Sequence, residues 1–314
     1  MGQALTGLSA RASGPGSGFQ LDRILAGVAD EPREAWRRNY VASAVVTLFS
    51  VPLVAKGGVG GGHIEIVERA GGTVAIEFSA GSWPESARGL NRLGFIREAV
   101  TEGNAGTAAE CAYLAFMTTS DEKNLDQAKQ AMSHSGAQAR YTAAQGFGRG
   151  RDFEWRVDRL SFPSFYTSRH LGELIPQARA AMSARESQPL ERCSCESPDT
   201  ATFLYTVRRA LFDGPGRTAR HLIFNGKEFL LETTREADPG MAQVFAARHV
   251  IAKDASVTRL KAMLTERRSG VKTPFQLWFE NGAECEPPLR FDYQARPYLR
   301  LAFEAQTNQK PART

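Results

Sequence analysis

The sequence predicts a mostly β protein, a β-rich α+β fold of two curved antiparallel-sheet modules in tandem. Three observations predict it. Apolar and polar residues alternate with a period of two through much of the chain, glycine and Asn-Gly turns punctuate the runs, and the same order of signals occurs twice. The length of 314 residues exceeds what one hydrophobic core usually serves. With 42% apolar and 23% charged residues the composition is that of an ordinary globular chain.

Residues 1–35 are expected to form a mobile arm and one short helix. The first 18 lack apolar periodicity, and Phe19, Leu21, Ile24, Leu25 and Val28 then follow at helical spacing and stop before Pro32. The first module is expected over 36–167. Val45–Phe49 is branched and aromatic and reads as a strand, and Gly57–Gly62 reads as a wide hairpin turn. His63–Glu68 alternates, with Ile64 and Ile66 on one face. After a turn at Gly71-Gly72, Thr73–Ser79 returns with Val74, Ile76 and Phe78 together, completing a meander. Gly94–Val100 and Cys111–Met117 extend it as strands, although the alanines of 108–115 suit a helix equally. A helix is expected near 120–135, where Glu122 completes a capping box with Thr119 and Gly136 ends it. Phe153–Val157 is a further strand, and an aromatic segment around Pro163 closes the module.

Residues 168–198 read as a helical connector and loop, with Leu171, Leu174, Ala178 and Met182 on one helical face. The second module is expected over 199–306. Its extended runs are Phe203–Leu211, His221–Phe224, Lys227–Thr233, Gln243–Ile251, Val257–Leu264, Phe275–Phe279, Leu289–Tyr293 and Tyr298–Phe303. Asn225-Gly226 between two of them is a two-residue hairpin signal. A mobile tail is expected over 307–314. His63 and His221 open corresponding strands, and Pro163 and Pro297 mark corresponding ends, which suggests duplication.

The 39 basic and 34 acidic residues give +5 and are interspersed. Runs such as Arg267-Arg268, Arg149 and Arg151 lack interleaved aromatics and read as solvated surface, so nucleic acid is not an expected partner. No integral membrane segment is expected. The apolar stretch Tyr40–Ala55 is broken by Ser43, Thr47, Ser50 and Pro52, and it falls short of the roughly 20 residues a spanning helix needs. The N-terminal sequence lacks a basic start followed by an apolar run, which favours a soluble cytoplasmic protein; export from an internal start after Arg37-Arg38 is the alternative. The oligomeric state is left open by the sequence.

Two stretches resemble bacterial proteins classified only as domains of unknown function. One is Val45–Leu53 with the Gly57–Gly62 turn and Gly89–Phe95; the other runs from Leu289–Tyr293 to Arg300-Leu301. The resemblance implies a β-rich, often exported, curved-sheet protein and brings no catalytic residues with it.

Candidate chemistry is sparse. The Gly57–Gly62 cluster leads into a strand instead of a helix and lacks a Gly-Lys-Ser/Thr ending, so there is no nucleotide or flavin signature. Ser120 and Lys123 match S-x-x-K, in which a serine nucleophile and a lysine base meet one helical turn apart. Penicillin-recognising enzymes and related serine esterases need more than this. Lys272-Thr273-Pro274 departs from their Lys-Thr-Gly, and Ser120 also serves as a helix cap. Neither G-x-S-x-G nor H-E-x-x-H occurs. A divalent metal would have to be held by residues brought from distant strands, with His63 and His221 the natural pair. Cys193-Ser194-Cys195 is a poor zinc signature, and either a loop disulfide with Cys285 or free thiols explains it better. A curved sheet can enclose a ligand, so the expected function is binding of an apolar or amphipathic small molecule, or a structural interaction role. The alternative is a hydrolase of small esters, lactones or amides, which needs a serine, or histidines with carboxylates, converging within hydrogen-bonding reach.

Overall fold

Alternating runs can satisfy their backbone hydrogen bonds only against one another. In the computed structural model they do so in a single sheet. The structure describes residues 32–48, 51–69, 72–87, 91–102, 109–118, 139–162, 166–184, 190–296 and 298–306. The first meander comprises β1 (Pro32–Leu48), β2 (Val51–Arg69), β3 (Thr73–Ser82), β4 (Leu93–Thr101), β5 (Glu110–Thr118), β6 (Ala139–Arg149), β7 (Asp152–Phe162) and β8 (Glu191–Ser194). The second comprises β9 (Ala201–Thr202), β10 (Arg217–Phe224), β11 (Lys227–Ala237), β12 (Val257–Glu266), β13 (Lys272–Glu280), β14 (Arg290–Arg296) and β15 (Leu299–Ala305). Three helices accompany them among the described residues: α1 (Leu171–Ser183), α2 (Phe203–Leu211) and α3 (Pro239–Ala247).

The two runs read from the sequence share one sheet, in the order β8 down to β1, then β15 down to β9. All pairs are antiparallel except the short β9–β10 pair. The seam is β1 on β15, from Tyr40 opposite Ala305 to Val46 opposite Leu299. Although β8 and β9 stand at opposite ends of this order, only residues 195–200 separate them, so the sheet must curl. The curl carries the β10–β11 hairpin into the concave side of the first meander. There the Gly226 N–H donates to the Tyr113 hydroxyl at 3.3 Å, and a Cβ on Gly226 would lie 2.2 Å from the Trp155 ring. Asn225 and Gly226 both have positive φ (50° and 69°), the turn that Asn-Gly encodes.

Alternation separates two faces. On the convex side, α1 lays Leu174, Ala178 and Met182 over Phe95, Leu114 and Leu160. A buried ion pair, Arg156–Asp158 at 2.8 Å, lies beneath it, and Arg156 also donates to the Met182 carbonyl at 3.0 Å. On the concave side, Tyr40, Phe291 and Phe303 pack with Leu231, Leu260 and Leu277, and the Phe291 and Phe303 rings stack 4.5 Å apart.

Several expectations are corrected. The glycines of 57–62 form no hairpin turn but lie within β2. A Cβ at Gly60 would sit 2.2 Å from the Gly81 carbonyl oxygen and one at Gly62 2.0 Å from that of Ser79, so glycine is there for close backbone approach. β1 starts at Pro32, inside the segment assigned to the N-terminal arm, and buries Trp36 and Tyr40. Phe203–Leu211 is helical, not extended. Its N-terminal N–H groups on Leu204 and Tyr205 donate to the Glu98 carboxylate at 2.9 Å each, a cap supplied from β4. Most of the run Gln243–Ile251 is likewise helix α3, where Asp238 caps the Met241 N–H at 3.0 Å and Pro239 follows at the first turn. The alanine-rich stretch left open between strand and helix is strand from Glu110 onward, as part of β5. The helices expected before Pro32 and near 120–135 fall outside the described residues. Among the described residues no helix is long and apolar enough to cross a membrane.

Candidate functional site: a cavity inside the curved sheet

Because side chains alternate, every second residue of β1, β2, β3, β13, β14 and β15 points to the concave side. These positions carry Ala44, Ile64, Phe78, Phe275, Phe291 and Leu301, and together they enclose a cavity of about 1560 Å³. Helix α2 forms its inner wall through Phe203, Val207 and Leu211. Three contacts fix α2 in place: Glu98 at its N-terminus, the Phe203 ring 6.4 Å from that of Phe275, and the ion pair of Arg208 with Glu68 on β2. Glu98 is fully buried. Burial pushes its carboxyl up to about 7, although the N–H groups of α2 pull the other way.

The deep polar groups on the lining are mostly spoken for. Asp292 accepts both arms of Arg290 at 2.7 and 2.8 Å, and Glu286 pairs with Arg38 at 3.1 Å. The Nε of Arg208 is buried without a hydrogen-bond partner. Toward the open end the lining changes to Lys56, Ser82, Ser86, Arg92 and Thr118. The Lys56 ammonium donates to the Ser86 carbonyl, a neutral acceptor, and among the described residues no carboxylate pairs with it. The cavity is therefore apolar in depth and basic at its mouth.

A second constellation occupies the opposite face. His63 and Glu65 share a face two residues apart on β2, with Ser79 and Glu77 directly across on β3. His63 Nε2 lies 2.9 Å from Glu77 Oε1, and His63 Nδ1 lies 2.8 Å from Ser79 Oγ. Burial raises the Glu77 carboxyl, but the His63 hydrogen bond and the Arg97 guanidinium outweigh it and hold it below the usual range. His63, Glu65 and Glu77 offer ligand atoms within 4.8 Å of one another. Both carboxylates already face arginines, however: Glu77 accepts from Arg97 Nε at 2.9 Å, and Arg37 is 3.7 Å from Glu65. A divalent cation would have to displace them.

The predicted residues are thus distributed as follows. His63 and His221 sit on strands that are not neighbours, and His221 pairs instead with Glu228 at 3.2 Å. Ser120 and Lys123 lie outside the described residues. All four cysteines are free: Cys111 and Cys195 are core residues of one cluster against which Cys193 and Cys285 pack, and Cys193 Sγ is 3.8 Å from Cys195 Sγ. Sequence reasoning missed Glu77 and Ser79 as partners of His63, which only strand register reveals, and Lys56 and Arg92 as mouth cations.

No family model matches the chain, and no curated protein does. Among solved structures, a β-barrel-like protein of domain of unknown function DUF1849 from Brucella abortus is similar over 88% of this chain and 98% of its own, with 10% identity and a TM-score of 0.42. The likeness is weak.

Proposed function

We propose that this protein binds an amphipathic molecule with a long apolar body, buried in the cavity, and an anionic end held at the mouth. The carrying observation is the cavity itself, about 1560 Å³ with apolar side chains in its depth. Small-molecule pockets usually span about 300–1,000 Å³, so the space suits a long or multiple acyl chain better than a compact metabolite. Lys56, with only a neutral partner, supplies the charge for a carboxylate or phosphate. The test is displacement of a fluorescent fatty acid from delipidated protein. Ala44→Trp, which fills the space, should weaken binding at least about tenfold. Lys56→Glu should weaken an acid probe and spare the matching alcohol. Equal affinity of the wild type and Ala44→Trp sinks the proposal.

A second reading, hydrolysis of a small ester, lactone or amide, has one observation in its favour: Ser79, His63 and Glu77 in a nucleophile–base–carboxylate chain. Against it, Ser79 is only 3% exposed and faces away from the cavity, on a strand whose backbone N–H groups are committed to the ladder. Turnover that survives Ser79→Ala in an ester and lactone screen removes this reading.

A further inference from the structure

Antiparallel connectivity places the β1–β2, β3–β4, β12–β13 and β14–β15 connections at one end of the sheet, the end where the cavity opens. Five large apolar side chains stand exposed there: Val46, Val54, Val271, Tyr293 and Tyr298, with Val54, Val271 and Tyr298 about 60% exposed. Only three other large apolar residues are as exposed among the described residues, and they are scattered. Four of the five also line the cavity mouth. Water-exposed valines and tyrosines concentrated on one rim have a free-energy cost that burial against another phase removes.

Charge identifies that phase. Lys56, Arg268 and Lys272 are exposed around the rim and Arg92 lines it, whereas Glu85, Glu196 and Glu266, acids at this end among the described residues, are paired with Arg169, Arg267 and Lys227. Aliphatic tips, tyrosines at the level of the headgroups and lysines with no carboxylate partner among the described residues together match an anionic bilayer surface. We infer that the mouth docks on anionic membranes, so that an acyl chain passes between bilayer and cavity without crossing water. This rests on the amphiphile-binding reading and adds the membrane as donor or acceptor.

The experiment is co-sedimentation of the full chain with vesicles of phosphatidylcholine, alone or mixed with phosphatidylglycerol, run beside fluorescent fatty acid uptake. The wild type should favour the mixed vesicles and lose them as salt rises. Val271→Asp, which removes an exposed tip outside the cavity lining, should lower partitioning about tenfold. Lys272→Glu should lower it about fivefold. Both variants should keep the wild-type melting temperature and fatty acid uptake. Uptake without vesicle binding, or vesicle binding indifferent to both substitutions, overturns the docking and leaves the cavity reading standing. Vesicle binding without uptake counts against the cavity reading alone. A wild-type dimer that Val271→Asp dissociates assigns the rim to a second copy and also overturns the docking.

Discussion

Glu98 is the residue whose ionisation matters most to the architecture. Its carboxyl is pushed up to about 7 in the folded protein, above the ordinary value of 4.5, so the native state holds its proton more tightly than the unfolded chain does. A raised acid contributes its stability in full below about 4.5, and that contribution is lost as pH rises through about 7. Urea midpoints should therefore fall between pH 5 and pH 8, and Glu98→Gln should flatten this portion of the profile. A wild-type midpoint that climbs across the window contradicts the assignment. Thiols give a second check at this scale. Cys111 and Cys195 are buried whereas Cys193 and Cys285 are partly exposed, so Ellman's reagent should react promptly in native protein only with Cys193 and Cys285, and with all four after denaturation. These properties were not legible in the sequence. Glu98 sits in an ordinary alternating strand, and its partners Leu204 and Tyr205 lie more than a hundred positions away. The pairing of His63 with Glu77 likewise depends on a register that no local pattern states.

Secondary-structure elements were more legible where their signals are local. Strict alternation found His63–Glu68 and Thr73–Ser79, and Asn225-Gly226 found its hairpin. Phe203–Leu211 misled because Phe, Tyr, Thr and Val all favour strands, while the carboxylate that caps the helix comes from β4. The α3 helix carried its own marker in Asp238-Pro239, and the apolar run behind it outweighed that marker. Asp238→Ala should cost about 1 kcal/mol by loss of the cap, and it also takes from the Trp278 indole N–H its acceptor at 2.9 Å. The glycines of β2 were read as a hairpin turn when their role is closeness. Gly62→Ala should destabilise by about 1–3 kcal/mol in urea titrations because the backbone of β3 must move; Gly72→Ala, whose Cβ would meet nothing, should cost only the strain of its positive φ.

At the level of the whole molecule, composition and periodicity specified a β-rich chain but not that its two meanders close into one curled sheet. Which strands meet at a seam is decided by curvature and long-range register, and these leave no trace in a window of ten residues. The seam has its own consequence. Tyr40 opposite Ala305 links positions almost a full chain apart, so β1 waits as an open edge until the last described strand has been made. A ribosome-bound chain lacking β15 would carry the waiting edge until that strand emerges, exposed to mispairing or to chaperone capture. Arrival of β15, more than collapse of either half, is then the event that commits this sheet to its native shape.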